Sequence, residues 1–226
     1  MTFTPYNLRA FRQPAEQTLL GLDLGQRRDY TALAVIQRTI EPRPLPENPK
    51  VTHPTACYGV VGLDRIQNQS YESIAEAVLK LKRREGLFNA KLIVDETGVG
   101  QAVCDMLDVR GLRPERITIT GGDTVTRSGR SYRVPKRDLA GVVAVLLESR
   151  RLKIAPGLAL ANVLTEELAN FKVKITTTGH DTYGAGDDWR EGNHDDLVLA
   201  VALALWFSEG RTKGRAWGFD PIRGIN

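Results

Sequence analysis

Apolar positions along this chain fall into two kinds of run, some nearly continuous and some spaced three and four residues apart. "TLLGLDL" (18–24) and "TALAVIQRT" (31–39), joined by the polar turn "GQRRDY", predict a strand pair. Their almost unbroken apolar character suits strands in a sheet covered on both faces. "EPRPLPENPK" (41–50) holds four prolines in ten residues. Proline donates no backbone hydrogen bond, so this stretch predicts an exposed loop before a third strand, "ACYGVVGL". In "SYESIAEAVLKLKRREG" the spacing of Tyr71, Ile74, Val78 and Leu81 predicts a helix that Ser70 caps and Gly86 stops. "AKLIVDETGVG" follows as a buried strand running into a glycine turn, then "QAVCDMLDVRG" as a short helix and "ERITITGG" as another strand. Pro135 opens a helix over "KRDLAGVVAVLLESR", and "LALANVLTEELANF" predicts a further amphipathic one. The last helix runs from about Asp195 to Phe207.

Strands first, then helices alternating with strands, predict an α/β fold with a central mixed β-sheet flanked by helices. No internal repeat interrupts this order. The expected organisation is an N-terminal extension over 1–16, one domain over 17–210, and a weakly ordered C-terminal tail over 211–226 in which Trp217 and Phe219 offer docking groups.

The acids change the picture. Asp23 lies inside an apolar strand, where an ionised carboxylate is costly unless paired or bound to metal. Asp95 ends the strand "KLIVD" before a glycine turn, and Asp195 and Asp196 start the final helix. Two of these stations have a structural explanation: Asp95 can begin a turn, and Asp195 can cap its helix. No cap or turn accounts for Asp23 between Leu22 and Leu24. The stations stand 72 and 100 residues apart, so only the fold can unite them, and strand ends beside helix starts are where α/β proteins assemble sites. Their chemistry suits Mg²⁺ or Mn²⁺, which take oxygen ligands, and two such ions about 3.5–4 Å apart can hold both oxygens of a phosphodiester displacement. His194, beside Asp195, is a supporting candidate that could orient water or a ligand.

Composition and charge add constraints. The 226 residues are 42% hydrophobic and 26% charged, as in ordinary globular proteins, with a net charge of +4. The N-terminal stretch lacks the layout of a signal peptide, and "DLVLAVALALWF" is too short to span a bilayer, so no membrane partner and a cytoplasmic location are expected. Cys57 and Cys104 form no metal or redox spacing and read as reduced core residues. "RSGRSYRVPKR" (127–137) holds five basic residues and no acid, which is either a solvated loop or a phosphate-binding one.

Five segments, "GLDLGQRRDYTAL", "LIVDETGVG", "VPKRDLAGVVAVLL", "EELANFKVK" and "GNHDDLVLAVALA", together resemble the C-terminal nuclease domain of phage terminase large subunits. The resemblance spans roughly residues 17 to 208 in the family's order. It implies an RNase H-like fold and a metal-dependent endonuclease that cuts concatemeric double-stranded viral DNA during genome packaging, using two Mg or Mn ions. By position, Asp23 and Asp95 resemble the first and second metal-binding aspartates, and the third falls on Asp195 or Asp196. Within this reading, Arg127, Arg130, Arg133, Lys136 and Arg137 are expected to line a DNA-facing loop that Gly121 and Gly122 let move.

The family's packaging ATPase needs a G-x-x-x-x-G-K-[ST] loop that this chain lacks. ATP-driven translocation is therefore not expected of it. A separate or missing terminase ATPase domain, the small terminase subunit and the portal are the implied partners. Three alternatives stay open: an actin- or sugar-kinase-type phosphotransferase, an RNase H-like resolvase acting on branched DNA, and a non-catalytic DNA-binding module. Gln26-Arg27 after the Asp-x-Gly strand, where such kinases carry Thr or Ser, counts against the first.

Overall fold

A computed structural model describes residues 6–8, 10–11, 15–25, 29–45, 47–177 and 195–216, with 172–177 and 211–216 described by backbone alone. The first three strands, β1 (Gln17–Asp23), β2 (Thr31–Leu45) and β3 (Asn48–Ile66), form an antiparallel meander. Helix α1 (Tyr71–Lys82) then crosses to β4 (Lys91–Asp95), which lies parallel to β1 on its other side. After α2 (Gly100–Val109), β5 (Glu115–Thr120) adds parallel to β4. A hairpin of β6 (Thr126–Ser128) and β7 (Ser131–Pro135) closes that edge, with β7 parallel to β5. Helix α3 (Lys136–Glu148) leads to β8 (Leu152–Ile154), which joins the opposite edge parallel to β3; α4 (Ala161–Thr177) and α5 (Asp196–Ala216) complete the order. The sheet reads β6-β7-β5-β4-β1-β2-β3-β8 among the described residues. It is the expected mixed α/β sheet, with an antiparallel meander leading into parallel strands.

Both faces are covered, as the apolar runs require. Successive strand side chains alternate between faces. Leu19, Ala32, Ala34, Ile36, Ile93 and Ile117 face the front, under α3, α4 and α5. Leu20, Leu22, Leu33, Val35, Leu92 and Val94 face the back, with the buried sides of α1 and α2. Helix α1 starts as its sequence predicts: the Ser70 hydroxyl accepts the Ser73 N–H at 3.2 Å, and Ile74, Val78 and Leu81 are buried. The N-terminal segment also covers the back face. Asn7 N–H donates to Val61 C=O at 2.9 Å, and the Phe11 ring lies where a side chain on Gly59 would project. Cys57 and Cys104 are buried free thiols, and burial pushes the Cys104 thiol up to about 12.

Three expectations need correction. The proline-rich stretch is not a loop but the outer half of a long β2–β3 ribbon, with Pro42 opposite Pro54 and Leu45 opposite Asn48. β2 pairs β1 only as far as Arg38, so beyond it each strand has one free edge, where a missing N–H costs no ladder bond. Arg43 ties the ribbon down by donating to the carbonyls of Ser149 and Arg150 at 2.7 and 2.6 Å. The basic segment 127–137 is likewise a hairpin and helix start rather than a loop. Helix α5 runs on to Ala216, past the predicted end at Phe207, while residues 217–226 lie outside the described residues. Among the described residues no helix is long and apolar enough to cross a membrane.

Candidate active site

Register brings two of the acids together. Leu22 of β1 is the partner of Val94 of β4, so the next residues, Asp23 and Asp95, stand side by side at the ends of adjacent parallel strands. Neighbouring strands lie about 4.8 Å apart. Both carboxylates belong to the odd-numbered, front-facing set and are buried, at 7% and 6% exposure. The same row continues in both directions. Asp95 is level with Ile117, Ile117 with Tyr132, and Tyr132 with Arg127. On the other side Asp23 is level with Ala32 and Ala32 with Arg65. One line across the sheet thus carries two acids at its centre and an arginine at each end.

Local structure fixes the two acids. Asp95 Oδ1 accepts the Thr97 N–H at 2.8 Å, and Thr97 Oγ1 accepts the Ile119 N–H at 2.9 Å. The turn role and a place in the row coexist, because a carboxylate has acceptor capacity for both. Gly98 takes a φ of +62, and a Cβ on Gly100 would stand 2.0 Å from the Asp95 carbonyl oxygen. The "ETGVG" turn therefore needs its last glycine to bring α2 against the strand end. After β1, Gly25 N–H donates to Thr31 Oγ1 at 3.2 Å, holding the chain that leaves Asp23 against the start of β2.

The third station is the start of α5, which lies on the front face. A Cβ on Gly21 would stand 1.8 Å from the Ala200 carbonyl oxygen, so the helix backbone sits directly on β1 two residues before Asp23. Asp195 holds the cap position, its carbonyl accepting the Leu199 N–H at 2.9 Å, and is 5% exposed. Asp196 turns toward β3, where its Oδ2 accepts a hydrogen bond from Arg65 Nη2 at 2.9 Å. Glu167 of α4 joins this end: its Oε2 accepts the Val198 N–H at 3.1 Å, and its Oε1 lies 3.7 Å from Arg65 Nη1. Three carboxylates thus surround the positive end of the α5 dipole. The Arg65 guanidinium also lies 3.9 Å from the centroid of the Tyr30 ring.

Burial pushes the Glu167 carboxyl up to about 7; the Val198 N–H and Arg65 pull it down less strongly, and Asp196 pushes it further up. A carboxyl raised in the fold binds a proton there that the unfolded chain has already released. Its contribution to stability is therefore present at low pH and is lost as pH rises from the ordinary glutamate range through about 7. Glu167→Gln should remove most of this slope in metal-free protein, on the order of 2 kcal/mol between pH 5 and 8, in urea titrations at both pH values.

Arg65 and Glu167 were not singled out from the sequence. Arg65 follows an apolar strand and Glu167 sits within an ordinary amphipathic helix, so only the register row and the packing of α4 on α5 reveal them. His194 lies outside the described residues. Among the described residues no three His, Cys, Asp or Glu side chains are gathered closely enough to hold one metal ion. The donor set of Asp23, Asp95, Asp195 and Asp196 is all carboxylate oxygen, which fits a hard divalent cation.

The basic segment divides between the two faces. Arg127 shares the acid row, its guanidinium 5.1 Å from the centroid of the Tyr132 ring. Lys136 opens α3, and Arg137 pairs with Asp123 at 2.7 Å. Arg133 is level with Thr118, in the alternate row that faces the back, and Arg130 pairs with Asp108 of α2 at 3.0 Å on that same side. The structure therefore does not bring the five cations to one surface.

No protein-family model matches the chain. Among curated proteins, the terminase large subunits of Thermus phage G20c and Thermus virus P23-45 are 24% and 23% identical over 217 residues. These matches cover 92% of this chain but 36% of each relative, so the chain spans about a third of their length. Among solved structures, the large terminase nuclease of phage G20c superposes with a TM-score of 0.49 at 17% identity, covering 90% of this chain and 92% of that one. The large terminase nuclease domain of bacteriophage SPP1, a structure with bound Mn, gives 0.48 at 14% identity, covering 93% and 94%. Over nearly its whole length this chain is thus similar to a terminase large subunit.

Proposed function

We propose that this chain is a metal-dependent DNA endonuclease of the terminase type, cutting concatemeric double-stranded viral DNA during genome packaging. The observation that supports this most is the placement of Asp23 beside Asp95 under the start of α5, buried together in one row. Two like charges side by side in a protein interior are unfavourable, and a bound divalent cation relieves their repulsion without requiring either carboxyl to keep a proton. The similarity to terminase large subunits favours this reading over the kinase and resolvase alternatives.

Asp23 and Asp95, with Asp195 or Asp196, would hold two Mg or Mn ions. When bound, such ions polarise a phosphodiester and offset the charge that develops on it. The chain's own groups bind and orient the substrate. Arg127 stands at the end of the acid row, and together with Lys136 and Arg137 it supplies the phosphate contacts. Arg137 must exchange Asp123 for phosphate. Arg130 and Arg133 contribute only to DNA that wraps the sheet edge. His194 is assigned a supporting role beside Asp195. The matched relatives are longer than this chain, so a packaging ATPase would come from a further domain or a separate subunit. A small terminase subunit and a portal would complete the assembly in the host cytoplasm.

The test is incubation of supercoiled plasmid with the purified protein in Mg²⁺, in Mn²⁺ and in EDTA. Nicked or linear DNA should form with either ion and not in EDTA. Cutting that persists in EDTA would reject the mechanism.

A further inference from the structure

We infer that Arg65 is a positioning residue of the acid row: it holds Asp196 back from the metal position and leaves Asp195 as the helix acid offered beside Asp23 and Asp95. This rests on the nuclease reading above. Three observations carry it. Arg65 stands in the same cross-strand row as Asp23, two strands away, and so reaches the site from a fixed base. Its two terminal nitrogens serve two different helices, Asp196 of α5 at 2.9 Å and Glu167 of α4 at 3.7 Å. The Tyr30 ring beneath the guanidinium limits its movement, and all three charged side chains are at least 86% buried. A planar guanidinium can hold two carboxylates in this way; a lysine ammonium on a flexible stem cannot fix the same geometry. Glu167 also accepts the Val198 N–H, so the clamp sets the position of the first turn of α5.

The sign of the electrostatics separates this role from a plain structural one. Arg65 is a cation near a cation site. Its removal releases Asp196 and lowers the local positive charge, and both changes favour metal. A lost clamp should therefore uncouple binding from cleavage. In Arg65→Ala, Mn²⁺ affinity by isothermal titration calorimetry should match or exceed the wild-type value. Plasmid cleavage should fall about 10–100-fold, the usual cost of losing a group that orients a metal ligand. Arg65→Lys should bind Mn²⁺ like wild type and recover only part of the rate. Asp196→Asn should keep Mn²⁺ affinity within about threefold, whereas Asp195→Asn should lose about tenfold or more.

Equal losses of affinity in Asp195→Asn and Asp196→Asn would overturn the assignment. So would a loss of Mn²⁺ affinity in Arg65→Ala that parallels its loss of cleavage, or wild-type cleavage in that variant. If Arg65→Ala does not fold, the two aspartate variants decide. A wild-type chain that binds no Mn²⁺ would instead reject the nuclease reading itself.

Discussion

Asp23→Asn should abolish metal-dependent cleavage, by about 10³-fold, while leaving a cooperatively folded protein. The expected size follows from the several kcal/mol a bound divalent ion contributes to phosphoryl chemistry, at 1.36 kcal/mol for each factor of ten. The folded-state control follows from burial. Asp23 and Asp95 stand together at 7% and 6% exposure, so an amide at position 23 loses the hydrogen bonds of a carboxylate but also relieves its repulsion with Asp95. These effects oppose each other, and the metal-free melting temperature should move by less than about 4 °C, the equivalent of about 1 kcal/mol in a chain of this size. The response to metal should change far more. An ion at about 100 times its dissociation constant stabilises the native state by ~2.7 kcal/mol, a rise of roughly 5–10 °C. Differential scanning calorimetry with and without Mn²⁺ should show that rise in the wild type and lose most of it in Asp23→Asn and Asp95→Asn. An undiminished rise in both variants would remove these residues from the metal site.

Gly21→Ala should be the most destabilising single methyl group in the sheet. A Cβ there would stand 1.8 Å from the Ala200 carbonyl oxygen and 2.9 Å from its carbonyl carbon, both backbone atoms of a helix buried on all sides from Leu197 to Leu205. No side-chain rotation can relieve that contact. Helix α5 must move away from β1, opening the front core and displacing Asp195 and Asp196 from the strand ends. A cost of about 3 kcal/mol, the upper end of ordinary overpacking, corresponds to a melting point lower by roughly 6–12 °C. Gly141→Ala is the internal comparison. It lies in α3, and a Cβ there meets nothing within 4 Å. That change should raise stability by about 0.5–1 kcal/mol, the gain from replacing glycine inside a helix. Equal effects of the two substitutions in chemical denaturation would show that α5 does not rest on Gly21.

How much of this was legible in the sequence varied with the kind of signal. Continuous apolar runs and a capped amphipathic pattern locate β1, β4, β5, α1 and the first part of β2 closely, because each buries a face that only one periodicity serves. β8 leaves no mark in the sequence: three residues carry no period, and its strand identity comes from its place against Tyr58–Val60. The ribbon at Glu41–Pro54 departs from the loop its prolines predict, because its pairing has a free edge on each side, where a missing N–H breaks no ladder bond. Asp23 stood out as an acid in an apolar run, and Asp95 through the glycine turn behind it. Their adjacency depended on β4 returning alongside β1, which no local pattern encodes. Arg65 and Glu167 carried still less signal. An arginine at the end of a strand and a glutamate in a helix are ordinary, and they matter here through the partners that register and packing supply. The basic segment shows the reverse. Five cations in eleven residues looked like one surface, but strand alternation sends Arg127 and Arg133 to opposite faces.

The parallel pairing of β1 with β4 also orders events in time. β1, β2 and β3 are consecutive and joined by short connections, so their antiparallel contacts close small loops. β4 reaches β1 only across residues 24–90, and such long-range closures are made late because their entropy cost precedes any reward. By the same argument Asp23 and Asp95 should meet after β1 has paired with β2, and the close approach of α5 to Gly21, over a still longer stretch of chain, should follow. An ion that needs both carboxylates should therefore act mainly on the native side of the folding barrier. Such an ion should lengthen the lifetime of the folded chain and leave the speed of its formation nearly unchanged.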